Sequence, residues 1–276
     1  MVKGKRTSVR YGVILSCIFI LSTIWGGEAV GQGLSVAPSR IFFKGKPGQT
    51  VTESITFTNN SDKPFTFTSV IKDWERDSLG TKVYHPVGKL KESNGNWLSL
   101  SESTIILQPG QTKQVALNMQ ITKDATALTH SMVFFTQANE QKKIDTQVKI
   151  GLNVLLEVGV QVYHVPDGLL PGTLEFLAFE DRGIKKKDTA LVRAMSIKVK
   201  NNGQLNKDAY VRFELTNIET GEEIIIKPIA IAMLPYAVQS IHLELPGNLK
   251  GRFLAVSILD AGSQYSLKVA EKEITY

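Results

Sequence analysis

The chain has 276 residues, of which 42% are hydrophobic and 21% are charged, a composition typical of a globular protein with about two domains. Its formal net charge is +6, but residues 1–31 hold four of the 32 basic residues and one of the 26 acidic residues, so the remainder carries 28 against 25 and a net charge of +3. So small an excess argues against a nucleic-acid partner, and we expect none.

The first 33 residues predict a secretory signal peptide. A basic start precedes the apolar run Tyr11–Trp25, and the small residues Ala29 and Gly31 follow it. The run is shorter than the roughly 20 residues of a membrane-spanning helix. We therefore expect cleavage, export to the periplasm or the cell surface, and no membrane contact afterwards, with an uncleaved anchor as the alternative. Because the only cysteine, Cys17, lies in this leader, the mature chain would have no disulfide.

After Gly33 the chain reads as short strands separated by turns. The turn clusters Asn59–Pro64 and Leu107–Gln111 contain the proline, glycine and asparagine residues that turns require. Repeated strands at this spacing predict an antiparallel sandwich of two layers. The predicted strands up to residue 137 are Leu34–Phe43, Thr50–Phe57, Phe65–Trp74, Trp97–Leu107, Gln114–Ile121 and Ser131–Gln137.

The segment Val148–Val162 predicts one long strand, because every even-numbered residue in it is apolar. It is far longer than the usual strand of roughly 5–6 residues. A strand that outruns its partners leaves apolar side chains and backbone groups unpaired, which makes it a candidate for pairing with another chain.

A second set of strands follows Pro166–Gly172, starting with Leu174–Phe179, Leu191–Lys200 and Ala209–Asn217. The charged stretch Glu180–Asp188 between the first two predicts a solvated loop. The sequence thus predicts an all-β chain of two immunoglobulin-like β-sandwich domains in tandem after a signal peptide. The expected boundaries are 1–33 for the signal peptide, 34–166 for the first domain and 167–276 for the second.

Motifs of catalysis are missing from the sequence. The four histidines have no metal-ligand spacing, and there is no nucleophile elbow, phosphate-binding loop or dinucleotide fingerprint. We expect no cofactor and no metal, and a binding protein rather than an enzyme.

Several motifs of residues 34–166, in their order along the chain, resemble the N-terminal domain of the PapD-like periplasmic chaperones that assemble pili. The opening strand Pro38–Phe43 carries an arginine between a small polar residue and an apolar run. A strand, an asparagine turn and a proline–aromatic return follow, with Trp74 on the return strand. The turn Leu107–Gly110 and the apolar–aromatic–proline end Val160–Pro166 complete the match.

The resemblance implies a chaperone that binds envelope or pilus subunits by lending its last domain-1 strand to an incomplete β-fold. The donating side chains would be Ile150, Leu152, Val154 and Leu156. The family also holds its client's terminal carboxylate with an arginine and a lysine in the cleft between the domains. Arg40 stands at the arginine position, but Gln161 stands at the lysine position, so the clients are bound differently, the activity is lost, or another cation substitutes.

Two alternatives remain open from the residues alone. The strand Val148–Val162 can be covered entirely by its own domain, with Arg40 an ordinary surface residue. The chain can also be a structural or adhesive cell-surface protein whose two domains bind a glycan, the cell wall or another protein.

Overall fold

The computed structural model describes residues 33–138 and 155–276, and its regular structure there is β-strand apart from one 3-10 turn at Gly95–Trp97. The strands before residue 139 are β1 (Leu34–Ala37), β2 (Arg40–Phe43), β3 (Thr50–Asn59), β4 (Phe65–Arg76), β5 (Lys82–His85), β6 (Leu98–Leu100), β7 (Thr104–Leu107), β8 (Thr112–Gln120) and β9 (Thr129–Gln137). Those after residue 154 are β10 (Glu157–His164), β11 (Leu174–Lys187), β12 (Ala190–Asn201), β13 (Lys207–Asn217), β14 (Glu223–Ile225), β15 (Ile229–Met233), β16 (Val238–Pro246), β17 (Arg252–Asp260) and β18 (Lys268–Thr275).

Strands β1–β10 form two facing sheets. One has the order β1-β3-β8-β6 and the other β2-β10-β9-β4-β5, with β7 also paired to β4. The alternation of β3 and β8 points Phe57 and Leu117 inward, where both are fully buried. The ring of Phe57 meets Phe135 of the opposite sheet edge-on, with centroids 4.8 Å apart. This apolar layer holds the two sheets together, since burying each such side chain is worth about 1.5–3 kcal/mol.

Two segments predicted as single strands are divided between the sheets. Leu34–Phe43 becomes β1, which pairs with β3, and β2, which pairs with β10. Pro38 lies between them, and because proline has no backbone N–H it cannot continue a ladder. Trp97–Leu107 likewise becomes β6 and β7 on opposite sheets, interrupted by the polar residues Ser101–Ser103.

Strands β11–β18 form two further sheets, with the orders β11-β12-β16 and β14-β13-β17-β18, and β15 pairs with β13. A separate core lies between these two sheets, formed by residues such as Ile197, Phe213 and Leu243. All four sheets are consistent with the predicted all-β class and its two β-sandwiches, and the expected boundary at 166/167 falls between β10 and β11.

The prediction of a loop at Glu180–Asp188 is wrong, because β11 continues to Lys187. A bulge between Asp181 and Ile184 interrupts the regular alternation, which hid the strand. Asp181 accepts a hydrogen bond from Nε of Arg193 at 3.1 Å, and Arg193 is only 7% exposed. Arg193 also donates to the carbonyl of Thr275 at the end of β18, so one buried cation ties the two sheets of this sandwich together.

Contacts between the two strand sets hold them together. A third apolar cluster joins Trp74 and Tyr163 to partly buried residues on the other side, including Leu205 and Leu234. The β4–β5 hairpin also reaches β16, where the backbone N–H of Ser240 donates to the carbonyl of Ser78 at 2.7 Å. These apolar and main-chain contacts hold the two strand sets together on either side of a cleft.

The connection from β10 to β11 depends on glycines at two positions. Gly168 and Gly172 both have positive φ, at 81° and 60°. A Cβ on Gly172 would lie 2.4 Å from the Cα of Gly203, whereas a Cβ on Gly168 would meet nothing within 4 Å. Only Gly172 is therefore required for close packing as well as for its backbone conformation.

Candidate partner-binding cleft

Arg40 and Gln161, the two cleft residues singled out from the sequence, lie side by side. Strand β2 pairs with β10 in parallel, and the register places Arg40 opposite Gln161. The backbone N–H of Gln161 donates to the carbonyl of Ser39 at 3.0 Å. Because Ile41 and Val162 point into the core, Arg40 and Gln161 share the opposite face of the sheet.

Gln161 is held by its neighbour on the same face. The hydroxyl of Tyr163 donates to Oε1 of Gln161 at 2.7 Å, and Gln161 and Tyr163 are only 8% and 2% exposed. Burial raises the pKa of Tyr163 to about 12, so the phenol stays a protonated donor. The ring of Phe42 stacks on Tyr163 with centroids 5.0 Å apart. The amide at this position is therefore a fixed, neutral part of the cleft wall.

Arg40 forms an ion pair with Asp208 of β13, 168 residues further along the chain. The hydrogen bond that the Arg40 guanidinium donates to this carboxylate, opposed in part by burial, raises the pKa of Arg40. The pair is partly in solvent, with side-chain exposures of 30% for Arg40 and 55% for Asp208. The arginine identified from the sequence thus faces the second strand set across the cleft.

Arg76, at the end of β4, is a second cation in the cleft that the sequence reasoning missed. Its guanidinium donates to the carbonyl of Gly80 at 2.5 Å and lies over the ring of Trp74. Burial, reinforced by the positive charge of Arg40, lowers the pKa of Arg76, and the pKa of Lys82 is lowered in the same way. The available signal was the spacing: Arg76 is two residues from Trp74, so both lie on one face of the strand.

The cleft itself has a volume of about 640 Å³. Its first wall carries Arg40 and Arg76, and its second carries Asp208, Tyr210 and Asp260. Within residues 33–138 and 155–276 Arg76 forms no salt bridge. Arg76 therefore offers a guanidinium group to an anion, whereas Arg40 beside it is already paired with Asp208.

His130 supports this wall from behind. Its Nε2 lies 2.8 Å from the carbonyl of Trp74, so this nitrogen carries the proton, and its ring meets the indole edge-on. Nδ1 is buried and has no hydrogen-bond partner among the described residues. Burial lowers the pKa of His130, and the imidazole is therefore held neutral.

Among the described residues, the edge of β10 is open on the side of β2 before β2 begins at Arg40. The carbonyl of Leu156 accepts from the N–H of Gln137 in β9, while the N–H of Gln161 points to β2. Because backbone groups alternate sides along a strand, the N–H groups of Glu157 and Gly159 point to the β2 side. Strand β2 reaches only as far as Gln161 in the register, so these two residues have no strand beside them there within the described ranges.

The predicted donor residues fall mostly outside what the structure describes. Ile150, Leu152 and Val154 lie outside the described residues. Leu156 is described, and its side chain packs, partly buried, against the core of the first sandwich. Val160 and Val162 continue the same alternation into that core.

Residues 33–138 and 155–276 contain no group of three or more histidine, cysteine, aspartate or glutamate side chains placed to hold a metal ion. Across those ranges no helix has the length and apolar character to cross a membrane.

Comparison with known proteins gives matches of structure only. No family model and no curated protein matches the chain. Solved structures of pilus chaperones are similar to it, at low identity. One is a chain of the CsuC–CsuE chaperone–tip adhesion subunit pre-assembly complex of Acinetobacter baumannii, with 9% identity, 86% of this chain and 97% of that chain covered, and a TM-score of 0.46.

Two other solved structures of chaperones are similar to the chain. A chain of the Salmonella enterica SafA pilin–SafB chaperone complex has 13% identity, covers 88% and 96% of the two chains, and has a TM-score of 0.43. The E. coli chaperone DraB has 14% identity, covers 87% and 98%, and has a TM-score of 0.42. Because all three TM-scores lie below 0.5, function must be argued from the cleft and the open strand edge.

Proposed function

We propose that this protein is a periplasmic chaperone, not an enzyme, which binds incomplete β-subunits of the cell envelope along the open edge of β10. The observation that carries the proposal is the position of this edge relative to the cations. The backbone N–H groups of Glu157 and Gly159, which have no strand beside them among the described residues, lead directly to Arg40, where β2 begins along the same edge of β10.

The direction of β2 gives the direction of the client. Strand β2 runs parallel to β10 and begins at Arg40, opposite Gln161. A client strand that pairs with β10 in the same direction must stop before it meets β2. Its C-terminus then lies at Arg40, and its terminal carboxylate faces Arg40 and Arg76. Arg76 thereby supplies the second cation, the role of the family's lysine at the position of Gln161.

The energetics suit clients of differing sequence. Main-chain hydrogen bonds to the β10 edge do not depend on the client's side chains. Ile150, Leu152 and Val154 remain the predicted donors into the client's core, and Leu156 has the same parity. Each apolar side chain buried by the client is worth about 1.5–3 kcal/mol, so several together can offset the cost of ordering it.

A proline at position 157 tests this edge. Glu157→Pro removes one outward N–H from β10, whereas Glu157→Ala keeps that N–H and removes the same carboxylate, which accepts from Thr136 at 2.8 Å. Each variant is co-expressed in the periplasm with the envelope subunits encoded by neighbouring genes, and the co-purified subunit is measured. We expect Glu157→Pro to recover several-fold less subunit than Glu157→Ala.

The comparison requires both variants to be folded, which equal urea unfolding midpoints would establish. Equal subunit recovery from folded Glu157→Pro and Glu157→Ala would rule out strand addition at this edge. Recovery of subunit only with the cell-wall fraction would instead favour the structural or adhesive alternative.

A further inference from the structure

We propose that Asp208 is an internal competitor, a carboxylate that occupies Arg40 in the free protein and is displaced by the client's terminal carboxylate. The inference rests on the proposed function, because it assigns the step that precedes anchoring in the same cleft. Its basis is the ion pair between Arg40 and Asp208, which places a carboxylate of this chain where the client's carboxylate is expected.

The pair can open without separating the two strand sets. Both side chains are partly exposed, and ion pairs of this kind contribute little to stability. The interface is held independently by the apolar cluster around Trp74 and by the main-chain bond between Ser78 and Ser240. Loss of the Arg40–Asp208 pair therefore frees Arg40 while the cleft keeps its shape.

The charges of the cleft favour exchange of one carboxylate for another. Arg76 makes no salt bridge within the described ranges and interacts repulsively with Arg40. Asp260, the other acid of the cleft, lies 3.6 Å from Arg212 rather than on either of these arginines. Asp208 attracts Arg76 through space but makes its hydrogen bond to Arg40 alone, so the exchange favours a client carboxylate that hydrogen-bonds to both arginines.

The competition has a measurable size. The apparent affinity of a client is reduced by the fraction of molecules in which Arg40 is free. For an exposed ion pair, removing the competitor should strengthen binding about 1.5- to 5-fold. A peptide without a terminal carboxylate gains nothing from the free arginine, so its affinity should not change.

Peptide titration of the purified protein tests the inference. The probe is a short fluorescent peptide of alternating valine and threonine with a free C-terminal carboxylate, together with its C-terminally amidated twin. We expect Asp208→Asn to bind the free-acid peptide about 1.5- to 5-fold more tightly than wild type does, with the amide unchanged. Asp260→Asn, which removes an acid from the same cleft without freeing Arg40, is the matched control and should show no such gain.

A double-mutant cycle separates the competitor from a general charge effect. In an Arg40→Gln background the gain from Asp208→Asn should disappear. A gain that persists there, or one that Asp260→Asn reproduces, overturns the inference. If wild type prefers the acid over the amide and Asp208→Asn has no effect, the competitor is refuted while carboxylate anchoring stands. Equal binding of acid and amide by wild type and by Asp208→Asn refutes the anchoring itself.

Discussion

Replacing Gln161 by lysine restores the cation that the resemblance leads one to expect, and the structure predicts a cost in stability. The side chain at 161 is nearly buried and lies opposite Arg40 on the neighbouring strand. In Gln161→Lys the hydroxyl of Tyr163 loses its acceptor, and a third cation joins Arg40 and Arg76. We therefore expect the free protein to be less stable and its preference for a free-acid peptide to be greater.

The two contributions can be estimated separately. A buried hydroxyl left without its partner costs about 1–3 kcal/mol. Two unit charges about 6 Å apart at an effective dielectric constant of 20 repel by about 3 kcal/mol, which solvent and Asp208 reduce to about 1 kcal/mol at this partly open site. Gln161→Lys should thus lower the free energy of unfolding by about 2–4 kcal/mol. Gln161→Met, which removes only the hydrogen bond, should lower it by about 1–3 kcal/mol.

Urea unfolding at low and high salt is the assay. The difference between the lysine and methionine variants should shrink as salt screens the repulsion, while the shared cost from Tyr163 should persist. If Gln161→Lys is as stable as Gln161→Met at low salt, position 161 does not face the cations as described.

Three further predictions concern stability. Arg193→Met should lower the free energy of unfolding by about 1–3 kcal/mol, because it leaves the carboxylate of Asp181, which is 17% exposed, without its guanidinium partner. Because the pKa of His130 is lowered in the folded protein, the unfolded chain binds a proton first as the pH falls. The contribution of His130 to the free energy of unfolding should therefore be complete above about pH 6.5 and be lost below it, by at most about 1.4 kcal/mol per pH unit. Gly172→Ala should cost about 1–3 kcal/mol more than Gly168→Ala, because only the former adds a backbone clash to the positive φ.

Each of these has a control measured by the same urea unfolding. Arg252→Met breaks an exposed pair with Glu273 and should leave the midpoint almost unchanged. His130→Gln should unfold with a weaker dependence on pH between 5.5 and 7.5 than wild type, and an unaltered dependence would show that His130 is not the group responsible. Equal midpoints for the alanine variants at Gly168 and Gly172 would contradict the close approach to Gly203.

The strands were the part of the fold most open to prediction. Alternation of apolar and polar residues marks Thr50–Phe57 and Gln114–Ile121, and both form strands that face the core as expected. The pattern fails where pairing changes within a segment, as at Pro38, or where a bulge shifts the alternation, as at Asp181. At Pro38 the partner strand changes from β3 to β10, whereas at Asp181 the partner β12 stays the same and only the register shifts.

The cleft could be predicted from the sequence only in part. Arg40 and Gln161 were predicted through the family resemblance of motifs in their own strands, and the parallel register of the structure places them side by side. Arg76 gives a weaker signal, because an arginine at a strand end is usually a solvated residue. Asp208 gives none, since nothing in the segment around it indicates that it faces Arg40.

The sequence by itself determined which residues lie on which face of each regular strand, because side chains alternate with a period of two whatever the partner, except where a bulge intervenes as in β11. It thereby determined the all-β class. Only the tertiary structure decided what Arg40 meets. Its partner is 168 residues away and reaches it through the docking of one sandwich on the other, and that depends on long-range packing that no local pattern encodes.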